Sequence, residues 1–511
     1  MLSIFDQGPP PPCPARFNLA AHVLRHAGDC ADKIALSVLG PDDSQYWSYQ
    51  QLQQAVRGTG TGLLASGLKP GDIVLMRLGN TVDFPITYLG AIAAGLVPVP
   101  TSSQLTAAET AKMIADLAPA AVVRDADVAC APHPNQIDAA TLRDMRQLDM
   151  CDYDMGDPNR MAYVVYTSGS SGNPRAVAHA HRAIWARQMM VDGWYGLTPE
   201  DRLMHAGAFN WTYTLGTGLM DPWTIGATAL IPQPGTDVSA LPALLRDHKA
   251  SIFAAAPGVY RKMLHDHPAL DLPDLRHGLS AGEKLSNHLH EVWTKTTGTS
   301  LYEAYGLSEV STFISSSPSH PAQNGALGQP QTGRRIAIVG PDGPVPMGES
   351  GVIAVHKSDP GLMLGYLNNP QETKARMRAD WFMTGDLGSM TEAGQIAYLG
   401  RGDDMMNAGG FRVSPLEVEA ALTAHPDITQ IGVTDVEVKQ DTRIIVAFYT
   451  GPMPLDEADL RAYVQDKLAR YKQPRTYVHL AALPAGPNGK LQRRALRAYF
   501  KGHDHAERDQ A

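Results

Sequence analysis
The sequence predicts an α/β protein with a small antiparallel subdomain and a separate α+β unit at its C-terminal end. Three observations carry this. From about residue 30, β-type runs alternate with helical patterns, the arrangement that builds parallel sheets through crossover helices. After about residue 330, short strands and tight turns take over, as in "RRIAIVGPDGPVPMGESGVIAV". The last hundred residues switch to two helix patterns flanking two strand patterns.

The elements follow in order. Residues 1–20 read as an irregular arm, because four consecutive prolines cannot continue a helix or a central strand. "ATALIP" (227–232), "SIFAAAP" (251–257) and "HGLSAGE" (277–283) read as strands. Each precedes a helical pattern: "SALPALLRDHKA", "GVYRKMLHDH" and "LSNHLHEVWTKTT". Glycines and polar residues cluster in "GRGDDMMNAGGFR" (400–412), which reads as a hinge between domains. Beyond it, "SPLEVEAALTAHP" and "EADLRAYVQDKLARY" are helical patterns around the strand pair in "ITQIGVTDVEVKQDTRIIVAFYT". The polar end "KGHDHAERDQA" reads as frayed.

At 511 residues the chain exceeds one hydrophobic core, so two or more domains are expected. Its 44% apolar and 19% charged content suits a globular protein. A net charge of −9 argues against a nucleic-acid footprint and a polybasic membrane surface. The four cysteines, Cys13, Cys30, Cys130 and Cys151, form no CxxC pair, so no zinc site or disulfide framework is expected. "MLSIFDQGPPPPCPARF" lacks a basic n-region and a long apolar core, so no signal peptide is expected. "LGAIAAGLVPVP" (89–100) is too short to span a bilayer. These features together favour a cytoplasmic protein with no membrane partner and leave a homodimer open.

One short stretch carries chemistry. In "YTSGSSGNPRA", Thr167, Ser168, Ser170 and Ser171 offer hydroxyls, and Gly169 and Gly172 let backbone N–H groups turn inward. Such a concavity binds an anion, and Arg175 adds charge. The GxxxxGK[ST] lysine is absent, which disfavours a P-loop NTPase. Taken alone, the stretch could equally be a Ser/Gly-rich turn after a buried strand.

It does not stand alone. "YEAYGLSE" (302–309), "WFMTGDLG" (381–388), "GRGDDMMNAGGFRVSPLEVE" (400–419) and "PNGKLQRRALR" (487–497) follow in order. With these the chain resembles the adenylate-forming superfamily of acyl-CoA synthetases, peptide-synthetase adenylation domains and firefly-type luciferases. The resemblance implies a large N-terminal domain, residues 1–402, of two mostly parallel sheets with helices plus a small β-barrel-like subdomain. A small mobile α+β C-terminal domain, residues 403–511, would follow it.

The resemblance also implies roles. The stretch from Thr167 to Gly172 would hold the β- and γ-phosphates of ATP. Glu309 would hold Mg²⁺ on the triphosphate, as a hard oxygen ligand should. Tyr305 would stack on adenine and Gly306 would leave room for the acyl-adenylate, within a nucleotide site formed by Ala281, Gly282, Glu283, Glu303, Ala304, Leu307 and Ser308. Asp386 would accept the ribose hydroxyls with help from Arg401. Lys490 would lie between the substrate carboxylate and the α-phosphate. Asp403 would be the hinge, and Gly409, Gly410 and Arg412 would line the coenzyme A tunnel. The family's Pro-Lys-Gly is here Pro174-Arg175-Ala176, so Arg175 brings a planar fork instead of a point charge. Arg493, Arg494 and Arg497 read as a solvated helix face.

Acid specificity is expected in "HAGAFNWTYTLGTGLMDPWTIGA" (205–227), which is most like benzoate-CoA-ligase-type members. Phe209, Trp211 and Tyr213, with Ser280, Ala281, Tyr305 and Gly306, would line the acyl pocket, although the three aromatics could instead be core packing. No aspartate stands in "AFNWTY" to pair an amino acid's amine, and no carrier domain follows Lys490. The expected activity is therefore ligation of an aromatic, cyclic or short-to-medium-chain acid to coenzyme A with ATP and Mg²⁺. An acyl-AMP ligase loading a carrier protein, and a nucleotide-binding protein without turnover, stay open.

Overall fold
The computed structural model describes residues 1–40, 43–167, 175–267, 269–323, 325–402, 404–408, 411–439, 442–465, 467–468, 470–486 and 490–508. The largest sheet has nine strands, in the order Gln329–Pro330, Ser311–Ser315, Ser300–Leu307, His277–Ala281, Ile252–Ala255, Arg202–His205, Thr228–Pro232, Ile34–Leu39, Gln45–Ser48. The run from Ser300–Leu307 to Ile34–Leu39 is parallel, and the strands beyond it at either edge are antiparallel. Parallel strands buried on both faces need continuous apolar runs, and Ile252–Ala255 and His277–Ala281 are buried throughout.

The helices that cross between these strands start and stop on local signals. Pro257 opens the helix Pro257–Asp266, where its missing N–H costs nothing. Ser286 caps the helix Asn287–Thr297 by accepting from the Leu289 N–H. Gly298 ends that helix at φ +72°, a conformation that favours glycine.

A second, four-stranded sheet runs Val97–Pro100, Ile73–Arg77, Ala121–Arg124, Gln136–Asp138, all parallel. The helix Asp83–Ala93 is buried at every position, and so is the strand Val97–Pro100. The apolar stretch at 89–100 is thus core. Among the described residues no helix is long and apolar enough to cross a membrane. All four cysteines are free.

The antiparallel subdomain is an open sheet rather than the barrel-like unit expected. Its path is Ile4–Asp6, Arg335–Gly340, Ser350–His356, Trp381–Met390, Met377–Arg378, with Gly343–Pro344 and Ile396–Arg401 paired off that path. The two ends of the path are strands of three and two residues, too short to provide a closing ladder. The N-terminal arm is also more ordered than expected. Ile4–Asp6 pairs with Arg335–Gly340, Phe17 bridges to Gly156, and Asn18 caps the helix Leu19–Val23. Prolines 9–12 interrupt only the connection between them.

From Met406 onward the strands pair only with one another among the described residues: Met406–Ala408 with Phe411–Val413, and Gln430–Lys439 with Thr442–Thr450, which also pairs with Thr476–His479. The helices Pro415–Thr423 and Glu457–Gln465 close a core around Val418, Val433, Ile445, Leu460 and Val464. The last helix, Arg493–Arg508, runs through most of the segment expected to fray. Nor are all its arginines a solvated face. Arg493 donates to both oxygens of Glu419 at 2.6 and 2.8 Å, and Arg497 reaches Asp435 at 3.1 Å. Of Arg493, Arg494 and Arg497, Arg494 alone is exposed. Those carboxylates lie on neighbouring elements, so no helical periodicity announced the pairs.

Arg334 and Asp359 form a fully buried ion pair of 2.6 Å, both side chains 0% exposed. Arg334 also donates to the Thr312 carbonyl of the nine-stranded sheet, and Asp359 accepts from the Gly361 N–H. Removing the carboxylate leaves a buried cation unpaired, a change that typically costs about 3–5 kcal/mol. Asp359→Ala is therefore expected to lower the first thermal unfolding transition by several degrees in calorimetry; an unshifted transition would remove this pair from the stability argument.

Burial keeps five imidazoles neutral. It pushes His22, His181 and His205 down to about 3, and His179 and His277 to about 4, from 6.5. A depressed histidine pKa means that the unfolded chain binds more protons, so this stability is complete above pH 6.5 and is lost as pH falls toward 4. The melting temperature should be level above roughly pH 7 and decline already below roughly pH 6, before most carboxylates titrate. A curve level down to roughly pH 4 would contradict it.

Candidate active site
The hydroxyl and glycine stretch connects two antiparallel strands, Met161–Thr167 and Arg175–Ala180, in which Thr167 stands opposite Arg175. Ser168, Gly169, Ser170, Ser171 and Gly172 lie outside the described residues, as do Asp403, Gly409 and Gly410. Arg412 stands opposite Asn407 in the hairpin that flanks the last two.

Arg175 is not a loose phosphate ligand. Its guanidinium pairs with Glu372, on the helix Pro370–Ala375, and lies 5.4 Å over the ring of Tyr366. Tyr366 sits on Gly365–Tyr366, the third strand of the same small sheet, and its hydroxyl donates to Glu309 Oε1 at 2.7 Å. Sequence reasoning named Arg175 and Glu309 but missed Tyr366, which joins them, and Glu372, which pairs with Arg175. The signal was present in "GYLNNPQET" (365–373), which went unread. Among the described residues Tyr366 is the one partner of the half-buried Glu309 carboxylate. A carboxylate with one oxygen fixed fits Mg²⁺, which takes few protein oxygens and completes its shell with phosphates and water.

A second cluster gathers Tyr305, Asp386 and Arg401. Tyr305 Oη donates to Asp386 Oδ2 at 2.5 Å, and Arg401 Nε lies 3.7 Å from Asp386 Oδ1. Asp386 and Arg401 face each other in register on Trp381–Met390 and Ile396–Arg401. The Tyr305 ring lies 5.5 Å from Tyr398 and edge-on to Phe313. Gly306 has a local reason beyond leaving room for a ligand. A Cβ there would meet the Thr312 Cα at 2.5 Å across its own hairpin. That hairpin turns through Ser311 at φ +72°, whose hydroxyl accepts from Arg187. Arg187 in turn pairs with buried Asp221 at 2.6 Å.

Strand alternation divides the remaining predicted residues. Ala281 and Ala304 join Leu279 and Ala254 in one core cluster. Ser280 and Glu303 therefore turn to the opposite face, where Ala255 and Leu301 pack. Ser280 and Ala281, both expected at the acyl pocket, therefore do not share a face of the sheet. Glu303 accepts from Lys284 and from the Leu285 N–H, both at 2.8 Å, and burial pushes its carboxyl up against these pulls. Leu307 packs on the antiparallel sheet's core, and the Ser308 carbonyl accepts from buried His179 Nε2 at 2.7 Å. Gly282 turns the chain at φ +96° after the strand His277–Ala281. Next to it, burial pushes the Glu283 carboxyl up, while the charges of Arg261 and Lys490 pull it down. Lys490, from the far end of the chain, thus sits within electrostatic reach of the site.

The aromatic expectations also divide. Phe209 is 0% exposed in the main core. Trp211 and Tyr213 are half-buried and meet a residue that sequence reasoning passed over, His205, with ring centroids 5.9 and 4.5 Å from it.

Residues 23–367 match the family described as AMP-binding enzyme, and residues 417–490 match the AMP-binding enzyme C-terminal domain. Benzoate–CoA ligase of Thauera aromatica is 29% identical, over 97% of this chain and 99% of its own. The solved benzoate CoA ligase of Burkholderia xenovorans LB400 superposes with a TM-score of 0.84 at 27% identity, covering 94% of this chain and 100% of that one. The ATP-bound MatB of Rhodopseudomonas palustris gives 0.86 at 25%, covering 95% and 99%. The chain belongs to the AMP-binding enzyme family, the adenylate-forming enzymes that the ordered motifs resemble.

Proposed function
We propose that this protein is an ATP-dependent, AMP-forming acyl-CoA ligase acting on an aromatic carboxylic acid. The observation that carries the reading is the pairing of motif residues in two clusters, Tyr305 with Asp386 and Arg401, and Glu309 with Tyr366 and Arg175, with the Lys490 charge felt at Glu283. The kinship with benzoate–CoA ligases supports the aromatic acid. We place the domain boundary at residues 402 and 403, with Asp403 as hinge, supported by sheets that do not mix across it. A cytoplasmic location suits four free cysteines.

The chemistry follows. One oxygen of the acid attacks the α-phosphorus of ATP, the bond to pyrophosphate breaks, and an acyl-adenylate forms. The thiolate of coenzyme A then attacks the acyl carbon and AMP leaves. Mg²⁺, when bound at Glu309, neutralises charge on the departing pyrophosphate. Tyr305 provides an aromatic face for adenine. Asp386 exchanges the Tyr305 hydroxyl for ribose hydroxyls. The Lys490 ammonium offsets repulsion between carboxylate and α-phosphate and stabilises the developing charge. Gly409, Gly410 and Arg412 would serve the thiol step after the small domain turns.

The direct test is detection of acyl-CoA by mass spectrometry from ATP, Mg²⁺, coenzyme A and a panel of aromatic acids. Acyl-AMP without thioester would point to a carrier protein as acceptor. Lys490→Ala should abolish adenylate formation yet still convert supplied acyl-AMP to thioester; equal loss of both half-reactions would contradict the two-face arrangement. Arg175→Ala cuts the link from the phosphate stretch to Tyr366 and Glu309. Losing a partly buried cation–π contact of about 1–2 kcal/mol should slow pyrophosphate release about tenfold. Arg175→Lys, which keeps the charge, should restore most of it. A rate equal to wild type in Arg175→Ala would mean that the link is dispensable.

A further inference from the structure
Among the buried side-chain atoms without a hydrogen-bond partner are His205 Nε2 and the Tyr213 hydroxyl. The two rings lie 4.5 Å apart at 81°. Trp211 completes a corner, 5.1 Å from Tyr213 at 90° and 5.9 Å from His205 at 80°. Trp194 stacks behind Tyr213 at 6.1 Å. Three mutually perpendicular rings thus form a corner, and two of them carry an unanswered polar atom.

The corner stands where a ligand is expected. His205 ends the strand Arg202–His205, so it lies at the carboxyl ends of the parallel strands, where crevices of open α/β sheets form. Tyr213 packs on the cluster holding Ala254, Ala281 and Ala304, three small side chains on one face of adjoining strands. Larger residues there would fill the space beside the corner.

The proton on His205 can be placed. Its Nδ1 accepts from the Gly207 N–H at 2.9 Å, and the Thr214 hydroxyl lies 3.2 Å from the same atom. In the neutral ring the hydrogen is therefore on Nε2, a donor with nothing to donate to. Tyr213 Oη both donates and accepts. A hydroxyl satisfies both at once, accepting from His205 Nε2–H and donating to Tyr213 Oη.

We propose, on the reading that this is a CoA ligase for aromatic acids, that its acid carries a ring hydroxyl held between His205 Nε2–H and Tyr213 Oη. A site with buried polar groups discriminates strongly against an analogue lacking the matching hydroxyl, because the groups then stay unpaired.

The test compares kcat/KM for thioester formation from benzoate and its three monohydroxy isomers, with the full-length enzyme, ATP, Mg²⁺ and coenzyme A. One hydroxy isomer should exceed benzoate by about tenfold or more. Tyr213→Phe, which removes one oxygen and keeps the ring, should lower that ratio about tenfold, and His205→Gln should lower it too. Should His205→Gln not fold, the Tyr213→Phe ratio alone decides. Benzoate as the best acid, or an unchanged ratio in Tyr213→Phe, would mean that the corner holds only water, and the proposal falls while the ligase reading stands. An equal loss for benzoate and hydroxybenzoates would assign the corner to the reacting carboxylate and also overturn it. Thioester from none of the aromatic acids would overturn the ligase reading and this proposal with it.

Discussion

The buried guanidinium of Arg334 is the constraint on which the arrangement of sheets depends. Its carboxylate partner Asp359 lies in the loop after the strand Ser350–His356, held there by the Gly361 N–H, whereas the Thr312 carbonyl belongs to the nine-stranded sheet. A cation removed from water tolerates little displacement of its partners, because each lost bond leaves charge uncompensated in a low-dielectric setting. The antiparallel sheet is thereby fixed to the nine-stranded one. That fixes Asp386 and Arg401, carried by one sheet, against Tyr305 and Glu309, carried by or next to a strand of the other.

The site itself consists of short polar relays laid across sheet boundaries. Arg175 and Tyr366 come from one small sheet, Glu372 from the helix after it, and Glu309 from the hairpin ending the parallel run. Arg187 and Asp221 brace that hairpin from below through Ser311. Each bond is modest alone, but together they leave the carboxylates few orientations, which is what preorganised charge stabilisation requires.

Much of this was legible in the sequence, and the limits have physical causes. Alternating β-type and helical runs located the strands at 228–232, 252–255 and 277–281, because buried parallel strands and their crossovers carry strong patterns. Ordered motifs singled out Tyr305 and Asp386, which the structure joins at 2.5 Å, and Glu309, which it joins to Tyr366. Contacts distant in sequence were not legible. The pairing of Ile4–Asp6 with Arg335–Gly340 spans most of the chain, and a three-residue strand has no periodicity of its own. The link from Arg175 to Glu372 and the pairing of Arg493 with Glu419 have no signature at fixed spacing. Ser280 and Ala281 were read together because a motif names neighbours along the chain, whereas a strand sends neighbours to opposite faces. His205 was passed over because a lone histidine at a strand end is unremarkable until its unpaired nitrogen is seen.

Gly207 and Gly218 give that histidine an evolutionary rigidity. A Cβ at Gly207 would lie 2.9 Å from His205 Cε1, and one at Gly218 would lie 2.7 Å from its Cβ. Neither position can grow without dislodging the imidazole, so the back wall of the corner is closed to gradual change. Trp211 and Tyr213, half-buried and backed by other rings, are the walls that can change one residue at a time with less disturbance to the core.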